Sequence, residues 1–101
     1  MRYDKLVRDK IPAIIEASGK KAVTRVLEDA EYRLYLEAKL DEEVAEFHRD
    51  KNPEELADIL EVVYALAASQ GCDRETLHEI YQKKHNDRGG FADRILLLET
   101  E

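Results

Sequence analysis

The chain has 101 residues, of which 44% are hydrophobic and 39% are charged, and its formal net charge is -7 at pH 7. This length predicts one domain over residues 1–101, with a modest apolar core and no separate catalytic domain. The acidic balance argues against nucleic-acid partners, which require clustered Lys and Arg. No signal-like or membrane-spanning apolar run occurs, and a single cysteine fits a reducing compartment. We therefore expect a cytoplasmic protein without membrane partners.

The first half of the chain is dominated by helical signals. A short helix is predicted from about residue 10 to 18, with Pro12 in its first turn. Residues 22–27 alternate β-branched and polar side chains, which predicts a short strand. A long helix is predicted from an N-cap at Asp29 to about Asp50. Its apolar residues recur at a spacing of three to four, namely Tyr32, Leu36, Leu40, Val44 and Phe47.

The second half contains two further predicted helices. Asn52 and Pro53 form a strong helix start, and that helix is expected to run to Gly71. Asp73 then caps a helix to about Asn86, and the apolar residues 95–98 could pair with residues 22–27 as a ribbon. A connection of a few residues makes the two long helices antiparallel. The predicted fold is mainly all-α, an antiparallel helical bundle to which residues 22–27 and 95–98 could add a minor two-stranded β ribbon.

One carboxylate falls inside the apolar stripe of the first long helix. At about 100° per residue, Glu43 projects between Leu36, Leu40 and Phe47, whereas Glu46 lies at the edge of the stripe. An ionised carboxylate among apolar side chains loses its hydration and needs a compensating partner. Neither helix capping nor solvation explains this position, so Glu43 is the strongest functional candidate.

The next helix repeats the arrangement. Glu55 falls within its apolar arc and Asp58 lies on the border. Glu55 has a second interpretation, because it could serve only as the reciprocal partner of the Asn52 N-cap. Four carboxylates on neighbouring helices would repel unless a hard divalent cation lay between them, and Mg2+ prefers such oxygen ligands.

Other acidic positions carry weaker signals. Solvation is the better interpretation for Glu42, Glu54 and Glu61. A di-iron bundle needs two Glu-x-x-His motifs, and this chain has only the one at Glu75 and His78.

The motifs resemble a known superfamily. Glu42-Glu43-x-x-Glu46 followed by Glu54-Glu55-Leu-Ala-Asp58 resembles the paired acidic motif of the all-α nucleoside triphosphate pyrophosphohydrolases, which include MazG, phosphoribosyl-ATP pyrophosphohydrolase and dimeric dUTPase. Residues 3–12 and Arg88-Gly-Gly-Phe91 look like the first and last signatures of the small MazG-like, or phosphoribosyl-ATP pyrophosphohydrolase-like, branch. Together these motifs span nearly the whole chain.

The resemblance implies an activity. A nucleoside triphosphate or related nucleotide would be hydrolysed between its α and β phosphates, giving a monophosphate and pyrophosphate, in a homo-oligomer. The expected role is nucleotide-pool cleaning, with phosphoribosyl-ATP hydrolysis in histidine biosynthesis as the alternative. The chain differs from the pattern of this superfamily in two ways. The interval between Glu46 and Glu55 is short, and no aromatic-rich loop is present for recognising a base.

The resemblance also implies a set of site residues. Mg2+, or Mn2+ in its place, would be held by Glu43, Glu46, Glu55 and Asp58, and Glu43 or Glu46 would assist proton removal from water. Lys39 matches the lysine that precedes the first acidic motif in the family, and is expected beside Glu46 within reach of a phosphate.

Basic residues near both ends of the chain are natural phosphate ligands, although solvation alone could explain them. The candidates are Lys5, Arg8, Lys10, Lys84 and Arg88. A functional alternative of another class is a non-catalytic, acidic helical interaction module whose apolar surface meets another subunit.

Overall fold

A computed structural model of the protein describes residues 2–101, and this part of the chain contains four α-helices and no strand. The predicted all-α class is confirmed, and the predicted helix ends agree with the observed ones to within about two residues. The helices are α1 (Ile11–Ala17), α2 (Asp29–Asp50), α3 (Pro53–Ser69) and α4 (Arg74–Arg88).

Helices α2 and α3 form the structural centre as a tight hairpin. Lys51 adopts a left-handed conformation (φ 51°, ψ 40°), and its N–H donates to the carbonyl of Phe47 at 2.7 Å. The Asn52 side chain then accepts a hydrogen bond from the backbone N–H of Glu55 at 3.1 Å, and Pro53 occupies the first turn of α3. Because only two residues separate the packed helices, α2 and α3 run antiparallel. The smaller packing of α4 is on α3, and α1 makes no close backbone approach to another helix.

The predicted β ribbon is wrong. Residues 22–27 and 95–98 form no strand, and Val23 and Val26 are 88% and 97% exposed. An isolated pair of strands is marginal in water and requires a packed surface beneath it. Within residues 2–101 neither segment obtains such a surface, so both lack regular secondary structure and most of their residues are exposed.

The predicted N-cap of α2 also needs correction. Glu28 occupies the N-cap position in an extended conformation and makes no side-chain capping bond, while Asp29 is the first helical residue. Asp29 and Glu31 instead place negative charge in the first turn, where it interacts favourably with the helix dipole. The predicted cap of α4 is confirmed, because the Asp73 side chain accepts from the Thr76 N–H at 2.8 Å.

The apolar core of one chain is very small. Among residues 2–101 the only buried hydrophobic side chains are Leu36 and Val62, which are 4% and 8% exposed. The expected modest core is therefore only partly formed, and the molecule is elongated, with extents of 60 × 31 × 23 Å. In the same range of residues, no helix is both long and apolar enough to cross a membrane.

Truncation of Leu36 tests the position of this core. We expect Leu36→Ala to lower the free energy of unfolding by about 2–3 kcal/mol, because a buried leucine leaves a cavity. The matched control is Leu34→Ala, since Leu34 lies on the same helix and is 67% exposed. Urea unfolding followed by circular dichroism measures both values, and equal effects at the two positions would contradict the assignment of the core.

Candidate metal centre

The buried carboxylate of Glu43 is the centre of the candidate site. Glu43 lies on α2 in the seam between α2 and α3 and is only 7% exposed, as its place in the apolar stripe predicted. Its Oε1 atom accepts from Lys39 Nζ at 3.1 Å, but its Oε2 atom is buried without any hydrogen-bond partner. A buried oxygen without a hydrogen-bond partner is costly, so this atom is the least satisfied acceptor of the Glu43 side chain.

Two acidic groups meet at Glu43. One consists of Glu42, Glu43 and Glu46 on α2, and the other of Glu43, Glu55 and Asp58 across the hairpin. In each group one oxygen from every carboxylate lies within 4.8 Å of the others. The turn between α2 and α3 thus brings Glu55 and Asp58 to Glu43, which also lies near Glu46 on its own helix, so each of the four metal-ligand candidates predicted from the sequence belongs to a group that contains Glu43.

The structure separates the two interpretations of Glu55. The backbone N–H of Glu55 takes part in the cap by donating to the Asn52 side chain. Its carboxylate takes no such part: Oε2 is buried and has no hydrogen-bond partner. The Glu55 side chain is therefore not explained by a capping box.

Lys39 lies at the site and pairs with two of its carboxylates. Its Nζ atom contacts Glu43 at 3.1 Å and Glu42 at 3.4 Å, and the side chain is mostly buried. Within residues 2–101 its ion pairs are with Glu42 and Glu43, and it forms none with Glu46, the residue beside which it was predicted. One turn of helix separates i and i+4, which explains the pairing with Glu43.

The segment before α1 supplies two more cations. Lys5 Nζ lies 3.1 Å from Glu42 Oε1, and Arg8 Nη2 lies 2.6 Å from Asp58 Oδ1. Arg8 also reaches Glu61 through Nη1 at 4.0 Å. This segment therefore crosses the acidic surface of the hairpin, and places two of the five basic candidates next to the carboxylates.

The other three basic candidates lie apart from the carboxylates. Lys10 is the exposed N-cap residue of α1. Lys84 and Arg88 are exposed near the end of α4, a helix whose packing within the chain is on α3. Among the described residues, none of these three side chains forms an ion pair with the acidic groups.

Burial and charge alter the pKa values of the inner carboxylates. Burial raises the pKa of Glu43, and the neighbouring Glu46 adds to this, although the Lys39 contact opposes it. The pKa of Glu55 is also raised, first by desolvation and then by nearby carboxylates that include Asp58. Both inner carboxylates therefore resist ionisation unless positive charge is brought close to them.

The pKa of Glu42, the carboxylate on the outer edge of the site, changes in the opposite direction. Desolvation acts to raise the pKa of Glu42, but the contacts with Lys5 and Lys39 outweigh it and the pKa is lowered. Burial acts to lower the pKa of Lys39, yet its contacts with Glu43 and Glu42 prevail and the pKa is raised. The lysines therefore neutralise the negative charge of Glu42 at the outer edge of the site. At the inner edge, Glu43 and Glu55 each keep an oxygen without a hydrogen-bond partner.

These donors fit a hard divalent cation. Each group brings one oxygen from each of three carboxylates within 4.8 Å of the others, and Mg2+ takes carboxylate oxygens at about 2.1 Å in octahedral geometry. The orphaned oxygens of Glu43 and Glu55 supply donors that no protein group uses. Glu46 and Asp58 would complete the set.

Glu42 is the site residue that the sequence interpretation placed in solvent. The structure puts it in the acidic group with Glu43 and Glu46, held by Lys39 and Lys5. A helical wheel could not reveal this, because Lys5 comes from a segment 37 residues away. The available signal was the doubled acid at positions 42 and 43 of the motif.

Comparison with known proteins supplies little functional information. No family model matches the chain, and no solved structure matches it. Over 41 residues the chain is 63% identical to an uncharacterized protein of Mycolicibacterium smegmatis (strain ATCC 700084 / mc(2)155), a match that covers 41% of this chain and 42% of that protein. The chain therefore spans less than half of the length of this relative.

Glu43→Gln should stabilise the protein when no metal is present. The pKa of Glu43 is raised in the folded protein, because burial disfavours its ionised form. The stabilisation that protonated Glu43 contributes is therefore lost as the pH rises from the ordinary glutamate pKa through the raised one. At pH 7 in EDTA we expect a gain of about 1 kcal/mol, or a melting temperature higher by about 4–8 °C. The gain should vanish below the ordinary glutamate pKa.

Thermal melts at several pH values measure this difference. Glu37→Gln is the matched control, since Glu37 is an exposed acid on the same helix. A Glu43→Gln variant that is less stable than wild type at pH 7 would show that the ionised carboxylate is already compensated.

Arg8→Gln should tighten Mg2+ binding. Arg8 occupies an oxygen of Asp58, and a divalent ion must compete with it for that carboxylate. Because the Arg8 pair is partly exposed, the expected gain is modest, up to about fivefold in affinity. Isothermal titration with MgCl2 measures it, with Arg2→Gln as the control because Arg2 pairs only with Asp4. Weaker binding by Arg8→Gln alone would mean that Arg8 supports the site instead.

Proposed function

We propose that this chain is a Mg2+-dependent hydrolase that cleaves a nucleoside triphosphate, or a related nucleotide, at the α-β phosphate linkage. The observation that carries this proposal is the buried carboxylate of Glu43, which has one oxygen without a hydrogen-bond partner and belongs to both acidic groups. Buried acids without partners are expected where a cation binds. The resemblance of both acidic motifs to pyrophosphohydrolases supplies the substrate class.

The proposed roles follow from burial. Glu43 is held by Lys39 and is buried in the seam between α2 and α3, so its side chain is suited to act as a fixed ligand of the metal ion. Glu46 is only half-buried, so its carboxylate can reach solvent and accept a proton from the attacking water. Glu55 and Asp58 would hold the ion from α3. Mg2+, when bound there, would polarise the phosphate and lower the pKa of its water.

Basic residues are proposed to hold the phosphates. Lys5 and Arg8 lie at the acidic groups, where they could turn from a carboxylate to a phosphate oxygen. Lys39 stands at the same edge with its charge already shared between two acids. Lys10, Lys84 and Arg88 are exposed cations that could contact a long polyphosphate.

The wider proposal concerns role and assembly. We propose a cytoplasmic homo-oligomer that removes unwanted nucleotides from the pool, with phosphoribosyl-ATP as the alternative substrate. Mn2+ would substitute for Mg2+, because it accepts the same oxygen ligands.

A non-catalytic interaction module is the second candidate, and the large exposed apolar surface favours it. Phe91 is 98% exposed and Leu98 is 86% exposed, as a partner surface would be before assembly. The two functions differ in their response to Mg2+. A specific site gives a saturable rise in melting temperature, whereas a solvated acidic face responds only to ionic strength.

Pyrophosphate release from a panel of nucleoside triphosphates and phosphoribosyl-ATP tests the activity. We expect release with Mg2+ and none in EDTA. Glu43→Gln and Glu46→Gln should lower turnover by about 100-fold or more, since each removes a carboxylate from the reacting region. Glu37→Gln should retain full turnover, because this exposed acid on α2 lies outside both acidic groups. A wild-type protein that is inert across the panel would refute the proposal.

A further inference from the structure

The carboxylates of the candidate metal centre open on one side of the hairpin. On α2, Glu42 and Glu46 lie about 100° and about 60° around the helix from buried Glu43, both in the same direction. On α3, Asp58 lies about 60° from Glu55 in that direction. Because α2 and α3 are antiparallel, equal rotations on the two helices point to the same side of the pair. A segment that covers this side therefore covers both acidic groups.

The segment before α1 lies on this side, and we call residues 2–10 the strap. It contributes one cation to each acidic group. Lys5 Nζ lies 3.1 Å from Glu42 Oε1 in the first group, and Arg8 Nη2 lies 2.6 Å from Asp58 Oδ1 in the second. Within residues 2–101, one further cation pairs with these groups, from α2 itself. The strap thus supplies two of the three cations that face the five carboxylates.

The strap is attached to the hairpin by side chains alone. Within residues 2–101, no backbone hydrogen bond joins it to α2 or α3, and Leu6 is its one half-buried residue. The Lys5 and Arg8 side chains are 42% and 53% exposed, and exposed ion pairs contribute little to stability. A cavity of about 90 Å³ lies between the strap and α2, which is room for several water molecules. The strap is therefore held weakly.

The chain that follows the strap allows it to move away. Helix α1 makes no close backbone approach to another helix, and residues 20–28 contain no helix or strand. Gly19 joins these two parts with a φ of 92°, and open space surrounds the position where a side chain would lie. The linker is fixed to α2 at its far end, where Arg25 pairs with Glu31 at 2.7 Å. Release of the strap therefore does not require α2 or α3 to unfold.

We propose that the strap closes over the acidic groups while no metal is bound and is displaced when a divalent cation enters them. A dication on the Asp58 carboxylate repels the Arg8 guanidinium, and a dication in the first group repels the Lys5 ammonium in the same way. Glu43 and Glu55 offer buried oxygens without hydrogen-bond partners, which the strap cations do not contact. The exposed strap pairs therefore lose this competition. The inference rests on the metal centre of the proposed function, but not on hydrolysis.

Displacement of the strap links the metal ion to the phosphates of a ligand. In the closed form, Lys5 and Arg8 neutralise carboxylates and are not available to an anion. In the open form both cations are free beside a site that holds a metal ion. A phosphate-bearing ligand meets them only after the metal has bound, so metal and phosphate binding reinforce each other. The strap thus keeps the site closed to polyanions until a metal ion is present.

NMR relaxation of the full chain labelled with 15N tests the displacement. Without metal, the amides of residues 4–9 in wild type should have order parameters close to the rigid value of about 0.85, and at saturating MgCl2 they should fall below about 0.6. NaCl at the same ionic strength is the control, because it screens charge without occupying a site. The double variant Lys5→Gln, Arg8→Gln should already be mobile before Mg2+ is added.

Isothermal titration with MgCl2 gives a second readout. The same double variant should bind Mg2+ more tightly than wild type by on the order of tenfold, because neither strap cation competes. The matched control is Arg2→Gln, Lys20→Gln, which removes equal charge from exposed residues that, within residues 2–101, do not pair with the acidic groups. Its affinity should stay within about twofold of wild type, since distant exposed charges are screened.

The outcomes separate the strap from the metal centre. A strap that stays ordered in wild type saturated with Mg2+ would overturn the inference and leave the metal centre intact. Equal gains in affinity from the double variant and its control would also overturn it, by showing a general effect of charge. If neither wild type nor the variants bind Mg2+, the metal centre fails and the strap inference fails with it.

Discussion

The burial of Glu43 in the seam between α2 and α3 is the constraint on which the rest of the site depends. The same seam holds Leu36 and Val62, the two buried hydrophobic side chains of residues 2–101. A carboxylate in this position loses its hydration, and Lys39 compensates only one of its oxygens. The hairpin turn at Lys51 and Asn52 then decides which groups of α3 lie near this carboxylate. Because α3 returns directly along α2, these groups are further carboxylates, from Glu55 and Asp58.

The electrostatic consequence is a site with two unequal edges. Lys5 and Lys39 neutralise the outer edge at Glu42, and the pKa of that group is lowered accordingly. Glu43 and Glu55 at the inner edge have raised pKa values, because desolvation and like charges dominate there. A site arranged in this way is unfavourable without added positive charge. Its stability and its proposed chemistry are therefore linked through the same oxygens.

A second constraint is the small size of the apolar core within one chain. The hairpin alone cannot bury the apolar residues of α3, α4 and the segment 91–98, so that Ile80 on α4 stays 48% exposed. Folding free energy comes mainly from burial of apolar surface, and this chain leaves an unusually large share uncovered. Association with a second copy would complete the core that one copy begins. The rigidity of the acidic site would then depend on assembly as well as on the hairpin.

The amino-acid sequence by itself determined the helices and the principal carboxylate. Local signals sufficed for the helices, since Asn52 and Asp73 cap α3 and α4 through hydrogen bonds to residues three positions ahead. Helical periodicity likewise sufficed to place Glu43 in an apolar stripe. The tertiary structure decided what depends on distant segments: the contact of Lys5 with Glu42, the contact of Arg8 with Asp58, and the failure of residues 22–27 to form a strand. Periodicity shows which way a side chain points, but the segment that meets it there is set only when the whole chain packs.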